Sequence, residues 1–118
     1  MTGRVALVTG ASSGIGAALA HELASRGFTV GITARRADRL RTVLEDCRRV
    51  APGSMMFPAD LADTSVPARL AADAVAQLGH VDVLVNNAAT PGVRRVTNLT
   101  ADEVEDVMRV NFHAPVRL

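Results

Sequence analysis

The amino-acid sequence predicts an α/β fold in which an open, doubly wound parallel sheet is covered by helices on both faces. Short apolar runs alternate along the chain with longer segments of helical periodicity. The runs are apolar throughout, as expected for strands that are buried on both faces. A glycine-rich loop joins the first run to the first helical segment. This alternation requires parallel strands that are linked by right-handed crossovers.

Four runs are predicted to be strands, and the segments between them are predicted to be helices. The strands are Val5–Thr9, Thr29–Thr33, Met55–Pro58 and Val81–Val85. The apolar faces of the helices are marked by Ile15, Leu19 and Leu23, then by Leu40, Val43, Leu44 and Cys47, and then by Leu70, Ala71, Ala74, Val75 and Leu78. We expect Gly27 and Gly79 to end the first and third helices.

A fourth helix is predicted to begin at Thr100. Thr100 and Glu103 have the spacing of a capping box, in which a hydroxyl and a carboxylate each accept a hydrogen bond from a free backbone N–H. An apolar stripe follows at Val104, Val107 and Met108. We therefore expect one domain over residues 1–118.

Composition excludes several classes of function. The chain has 118 residues, a net charge of +1 and 48% hydrophobic residues, so neither nucleic acid nor a membrane surface is an expected partner. No secretory signal or membrane span is recognisable, which favours a cytoplasmic location. Cys47 is the single cysteine and is expected to be a small buried residue. The three histidines lie far apart without ligand spacing, so no metal site is predicted.

The glycine loop Thr9-Gly-Ala-Ser-Ser-Gly-Ile-Gly16 is predicted to bind phosphate. At a strand-to-helix junction the first helical amides are unpartnered and the helix dipole is positive. Gly10 permits a sharp turn, Gly14 lets a pyrophosphate approach the backbone, and Gly16 lets the helix pack closely on the sheet. Ser12 and Ser13 add hydroxyl donors. A P-loop is excluded because no Gly-Lys-Ser/Thr follows; the alternative is a glycine turn without a ligand.

Four motifs, in this order, resemble the successive signatures of the short-chain dehydrogenase/reductase family, whose fold is of the Rossmann type. They are Thr9 to Gly16, Asp60-Leu61, Asn86-Asn87-Ala88-Ala89, and Asn111. The resemblance spans the whole chain and implies that the loop, with Gly10, Ser12, Ser13, Gly14, Ile15 and Gly16, binds a nicotinamide dinucleotide.

The resemblance also implies roles for residues at two other strand ends. Asp60 matches the carboxylate that accepts a hydrogen bond from the adenine amino group, and Leu61 matches the residue that flanks the ring. A turn or helix cap is the alternative for Asp60, although Asp63 is better placed to cap the next helix. Asn87, Ala88 and Ala89 match residues beside the cofactor ribose. The family usually has glycine where Ala89 stands.

The end of the second predicted strand favours NADP(H) over NAD(H). An NAD site normally has an acidic residue about 20 residues beyond the glycines, where it binds the ribose 2′-hydroxyl. Here Ala34 stands at that position and is followed by Arg35 and Arg36. Guanidinium groups bind phosphate in a forked geometry and stack on adenine. The alternative is that both arginines are solvated residues before a helix.

Asn111 lies on the predicted inward face of the fourth helix, and a buried amide needs hydrogen-bond partners. Pro115 has no N–H to bond the Asn111 carbonyl, so that carbonyl is free. The alternative is an asparagine that bonds neighbouring strands. The resemblance implies a catalytic tetrad member whose carbonyl holds a water in a proton relay.

The chain has no tyrosine, and all 13 of its positive residues are arginines. The resemblance implies that a catalytic Ser and a Tyr-x-x-x-Lys motif would follow residue 118, so the sheet of about four strands is incomplete. The chain is therefore predicted to be the amino-terminal part of a homo-oligomeric enzyme that transfers hydride between nicotinamide and a carbonyl or alcohol. Alone, it is predicted to bind cofactor without catalysis. The alternative is a non-catalytic module that binds a dinucleotide or a partner.

Overall fold

Four parallel strands form the sheet of the computed structural model, which describes residues 3–12 and 14–87. The strands are β1 (Val5–Thr9), β2 (Thr29–Thr33), β3 (Met55–Met56) and β4 (Val83–Val85), and they lie in the order β3-β2-β1-β4. The helices are α1 (Gly14–Ser25), α2 (Ala37–Arg48) and α3 (Val66–Leu78). The parallel sheet and the alternation of strand and helix confirm the predicted fold class. The predicted fourth helix lies outside the described residues.

Strand β1 is the centre of the sheet. It pairs with β2 from Val5 opposite Thr29 to Thr9 opposite Thr33, and all five of its residues are buried. On its other edge, residues 6–8 pair with residues 83–85 of β4. The carboxyl ends of three neighbouring strands are thereby aligned beside the glycine loop.

The two faces of the sheet are covered by different helices. Val8 and Ile32 belong to a core cluster that includes Ala20 from α1 and Leu40 from α2. Leu7, the neighbour of Val8 in β1, belongs to a second cluster with residues of α3. Because successive side chains in a strand point to opposite faces, these clusters lie on opposite sides of the sheet. This is the doubly wound arrangement expected from the sequence.

The assigned strand β3 is shorter than the predicted Met55–Pro58. Phe57 still donates its amide hydrogen to the Ile32 carbonyl at 2.8 Å, but the Thr33 hydroxyl, rather than a backbone N–H, bonds the Phe57 carbonyl. The Ala59 amide donates to the Ala34 carbonyl at 3.0 Å, so backbone bonding to the end of β2 continues beyond Pro58. The regular strand covers only Met55 and Met56.

Strand β4 begins at Val83, two residues later than predicted. The Val5 amide donates to Oδ2 of Asp82 at 2.8 Å, and the Asp82 amide donates to the Val5 carbonyl at 2.8 Å. His80 Nε2 lies 3.0 Å from the same carboxylate oxygen. The Asp82 carboxylate thus replaces a backbone carbonyl as the acceptor of the Val5 amide. Regular pairing of β1 with β4 starts at the next residue, Val83.

The predicted buried face of α1 is wrong by one residue. Its buried residues are Gly16, Ala20 and Ala24, whereas Ile15 is 72% exposed and Leu19 also lies at the surface. Leu23 packs only partly against the core. Gly16 is buried against the glycine loop, and Ala20 and Ala24 are buried in the core cluster that contains Val8 and Ile32.

The other two helices follow the predicted patterns more closely. In α2, Leu40, Leu44 and Cys47 are buried as expected. In α3, Leu70 and Ala74 are buried together with Pro67, but Val75 is 50% exposed and does not belong to the buried face. Gly27 and Gly79 follow α1 and α3 with φ of 94° and 91°, as expected of glycines that end helices. Over residues 3–12 and 14–87, no helix has the length and apolarity needed to cross a membrane.

Candidate functional site

The carboxyl ends of β1 and β4 meet where the direction of winding changes. The chain passes from β1 to β2 through α1 on one face of the sheet, and from β3 to β4 through α3 on the other. Open parallel sheets bind ligands in the crevice outside such a switch point. The glycine loop lies there because it directly follows β1.

Two glycines of this loop adopt left-handed backbone conformations. Gly10 has a φ of 64° and Gly14 has a φ of 60°. A side chain at Gly14 would meet no atom within 4 Å, so the backbone conformation rather than lack of space favours glycine there. The Ala11 amide donates to the Thr33 carbonyl at 3.1 Å. This bond ties the loop to the end of β2.

Gly16 is constrained by space. A Cβ at this position would overlap the Gly10 carbonyl oxygen and would lie 2.6 Å from Nδ2 of Asn87. The close approach predicted for Gly16 is therefore present, but it is made with the loop and with the end of β4 rather than with the sheet face. The start of α1, the loop and β4 form one packed unit.

Asn87 joins the glycine loop to β4. Its side-chain Nδ2 donates to the Gly10 carbonyl at 3.2 Å, and its backbone N–H donates to Oγ1 of Thr9 at 2.9 Å. The Thr9 hydroxyl in turn donates to the Val85 carbonyl at 3.3 Å. From the sequence, Thr9 is predicted only as the end of the first strand and the first residue of the glycine loop, although a buried threonine that ends an apolar strand is a recognisable signal of a supporting hydroxyl. The structure shows Asn87 as a support of the loop.

Ser12 is another polar residue of the loop that the structure describes, and it is half-buried, whereas Ile15 is exposed. Four predicted site residues lie outside the described residues: Ser13, Ala88, Ala89 and Asn111.

At the end of β2 the structure places two exposed guanidinium groups and no acidic side chain. Ala34 packs partly against the core, and Arg35 and Arg36 follow it at the surface. Neither arginine forms an ion pair with a carboxylate of residues 3–12 or 14–87. Arg36 is the N-cap residue of α2 and makes no side-chain capping bond. Both groups are therefore available to an anion.

The two site residues predicted after β3, Asp60 and Leu61, lie in different environments. Asp60 is exposed, and its Oδ1 accepts the Ala62 amide at 3.0 Å in a local turn. Leu61 is only 7% exposed and belongs to the core cluster that includes Leu7 and Phe57. Its side chain is thus part of the core rather than of an open surface.

Asp63 makes the turn that precedes α3. Its Oδ1 accepts hydrogen bonds from the Ser65 amide at 2.9 Å and from the Ser65 hydroxyl at 2.7 Å. These bonds lower the pKa of the Asp63 carboxyl, with the backbone bond as the largest cause. A cavity of about 520 Å³ lies beside this turn and is lined by Asp60, Asp63, Arg69 and Asp73 above an apolar floor.

The single cysteine lies away from this crevice. Cys47 is buried in the core cluster of α1 and α2, as predicted, and burial raises the pKa of its thiol. Within the described part of the chain, no three His, Cys, Asp or Glu side chains are grouped so that they could hold a metal ion.

The comparison with protein families gives one match over nearly the whole chain. The family model for short chain dehydrogenase matches residues 4–118. An uncharacterized oxidoreductase of Mycobacterium tuberculosis is 38% identical over 122 residues, and a fatty acyl-CoA reductase of Acinetobacter baylyi is 36% identical over 119 residues. The alignments include 98% of this chain in both cases but only 36% and 40% of the two relatives.

Solved structures give the same result. A metagenomic short-chain oxidoreductase in complex with NADP is 38% identical, with a TM-score of 0.89 over 98% of this chain and 52% of its own. A short chain dehydrogenase of Burkholderia cenocepacia in complex with NADP is 33% identical, with a TM-score of 0.91 over 97% of this chain and 47% of its own. The chain therefore spans about half the length of these structures.

Proposed function

Because the chain belongs to the short-chain dehydrogenase family, we propose that it is the cofactor-binding, amino-terminal part of an oxidoreductase that uses a nicotinamide dinucleotide. One observation carries the proposal. The glycine loop, Asn87 and the arginines at the end of β2 come together at the aligned carboxyl ends of three neighbouring strands. A dinucleotide needs both a phosphate cradle and a recognition site for its adenosine ribose, and this edge of the sheet offers both.

The described loop fits a pyrophosphate. Left-handed glycines at 10 and 14 leave the backbone open to an anion, and the loop enters α1 at the positive end of its dipole. Ser12, Ser13 and Ile15 complete the proposed contacts of this loop. Gly16 and Asn87 contribute by fixing the loop in place.

The proposed adenosine site lies between the ends of β2 and β3. Oδ1 of Asp60 accepts a hydrogen bond in a local turn, and the side chain is exposed. The carboxylate can therefore accept a hydrogen bond from the adenine amino group. Leu61 would act through its backbone, because its side chain is in the core. The proposed ribose contacts are made by Asn87, Ala88 and Ala89.

Preference for NADP(H) is proposed from the end of β2. A carboxylate there would repel a 2′-phosphate, but Ala34 occupies the position and two unpaired guanidinium groups follow. The NADP present in the two similar structures supports this choice.

When bound, a nicotinamide would supply or accept hydride for a carbonyl or alcohol substrate. The residues of this chain would hold and orient the dinucleotide, and Asn111 is proposed to support a proton relay. The chain contains neither Tyr nor Lys, so we place the proton donor and the substrate pocket in a following segment. Assembly as a homo-oligomer and a cytoplasmic location remain predictions.

The test is the titration of NADPH and NADH against a soluble form of the protein that contains residues 1–118. We expect tighter binding of NADPH and a loss of that preference in Arg35→Asp. Arg41→Asp is the matched control, because Arg41 is also exposed and also forms no ion pair with the described residues. Equal affinities in the wild type, or an unchanged preference in Arg35→Asp, would contradict the proposed cofactor specificity.

A further inference from the structure

The arginines of the described chain differ in whether they have a partner. Arg26 and Arg49 pair with carboxylates of their own helices, Arg48 donates to a backbone carbonyl, and Arg69 donates to a hydroxyl. No such bond to a described residue is formed by Arg4, Arg35, Arg36, Arg39 and Arg41. Three of these five lie within residues 35–39. With Asp38 as the one acidic residue among them, this segment has a charge of three minus one, or +2.

These charges are at the unfavourable end of α2. The amino-terminal end of a helix carries a partial positive charge, so cations there are destabilising in the absence of an anion. Arg36 occupies the N-cap, where residues with a short polar side chain are preferred, and it makes no capping bond. Arg39 is the third residue of the helix. Asp38 in the same turn offsets part of this positive charge, and a bound anion would offset more of it.

Helix geometry places Arg39 beside Arg36. Residues three apart are neighbours on a helix surface, and helical side chains lean toward the amino terminus. We therefore expect the Arg39 side chain to extend along the helix toward its cap. Leu40 is buried, so Arg39 and Arg41 flank it on opposite sides of the helix. Only the first of these two is on the side of Arg36.

We propose that Arg39 is a third guanidinium of the site that binds the cofactor 2′-phosphate, and thus a specificity-determining residue. This proposal rests on the proposed function and extends it from the end of β2 into the first turn of α2. Arg39 contributes to the affinity for a 2′-phosphorylated ligand. Its effect on a ligand with a free 2′-hydroxyl is small, because no second negative charge is present there.

The experiment measures ligand binding without turnover. A soluble form of the protein that contains residues 1–118 is titrated with NADPH, NADH, 2′,5′-ADP and 5′-AMP in the wild type, Arg39→Gln and Arg41→Gln. We expect Arg39→Gln to weaken the binding of NADPH and of 2′,5′-ADP by about five- to tenfold, in the range of one charge-assisted hydrogen bond at an exposed site. NADH and 5′-AMP should bind with unchanged affinity. Arg41→Gln should bind all four ligands like the wild type.

Two further measurements separate the ways in which the proposal can fail. Raising the salt concentration should weaken NADPH binding less in Arg39→Gln than in the wild type, since one ionic contact is lost. If Arg35→Asp abolishes the NADPH preference while Arg39→Gln retains it, Arg39 is not part of the site and the proposed function stands. If the wild type binds no dinucleotide, the proposed function itself is wrong. If Arg39→Gln and Arg41→Gln lose the same amount of NADPH affinity, the loss reflects the overall surface charge. That result would overturn the proposed role of Arg39.

Discussion

At the scale of single residues, Gly16 shows how the loop depends on an absent side chain. A methyl group there would overlap the Gly10 carbonyl and press against the amide of Asn87, which itself bonds that carbonyl. We expect Gly16→Ala to destabilise the fold by about 1–3 kcal/mol, the usual cost of overpacking. The loop would also shift, so dinucleotide binding should weaken. Denaturant unfolding and NADPH titration measure the two effects.

Gly53 supplies the matched control for this change. A Cβ at Gly53 would lie 3.6 Å from the Thr29 side chain, which is an ordinary contact. Gly53→Ala should therefore leave stability and binding almost unchanged. If Gly53→Ala loses as much stability and NADPH affinity as Gly16→Ala, the lack of space at residue 16 does not explain the loss.

At the scale of elements, Asp82 determines where β1 and β4 begin to pair. Its carboxylate accepts the Val5 amide and lies beside His80. Asp82→Ala removes this acceptor, and we expect a loss of about 1 kcal/mol together with faster hydrogen exchange at the Val5 amide. Asp82→Asn retains an oxygen that can accept the bond and should lose less. Unchanged exchange at Val5 in Asp82→Ala would contradict this role of the carboxylate.

Elements whose pattern depends on burial alone could be predicted from the sequence. The apolar runs located β1 and β2 to the residue, and the stripe of α2 is buried as expected. The buried face of α1 was assigned wrongly because hydrophobicity favours Ile15, Leu19 and Leu23. The buried residues are instead the small ones at 16, 20 and 24, and Gly16 is small because it contacts the loop. The start of β4 was missed because an Asp82 side chain replaces a backbone acceptor, which periodicity cannot show.

The positions of the site motifs relative to the strands could be predicted from the sequence, but the contacts between the motifs could not. The glycine spacing placed the loop between β1 and α1, and both arginines follow β2, while the cofactor contacts assigned to them stay predictions. The bonds that hold the loop were not foreseen, since Thr9 and Asn87 are 78 residues apart in sequence. Only the strand order brings them together. The core position of Leu61 was also missed, because a dipeptide motif does not say which way its side chains point.

At the scale of the whole molecule, we expect the 118-residue chain to bind NADPH without catalysing carbonyl reduction. It contains no Tyr or Lys to act as the proton donor of its family. A positioned acid typically contributes about 10²- to 10⁴-fold to rate, and orientation of the substrate can contribute more. NADPH oxidation with a panel of ketones, aldehydes and quinones should stay at the background rate.

A chimera provides the positive control for that measurement. Joining residues 1–118 to the carboxyl-terminal half of a similar family member, with its Ser and Tyr-x-x-x-Lys, should give NADPH-dependent reduction. Asn111→Ala in the chimera should lower turnover more than cofactor affinity. Substantial turnover by the 118-residue chain alone would show that the proton donor and the substrate pocket are wrongly assigned to a following segment.

The bond between Asn87 and the Gly10 carbonyl also has a consequence for the time course of folding. The two residues are 77 positions apart, so the loop gains this support only after a large part of the chain has closed on itself. Contacts of such long sequence separation form slowly. During synthesis on the ribosome, a nascent chain that ends before β4 would carry the glycine loop without its support. The ability to bind a nucleotide would therefore arise only after β4 and Asn87 have been synthesised and have joined the sheet.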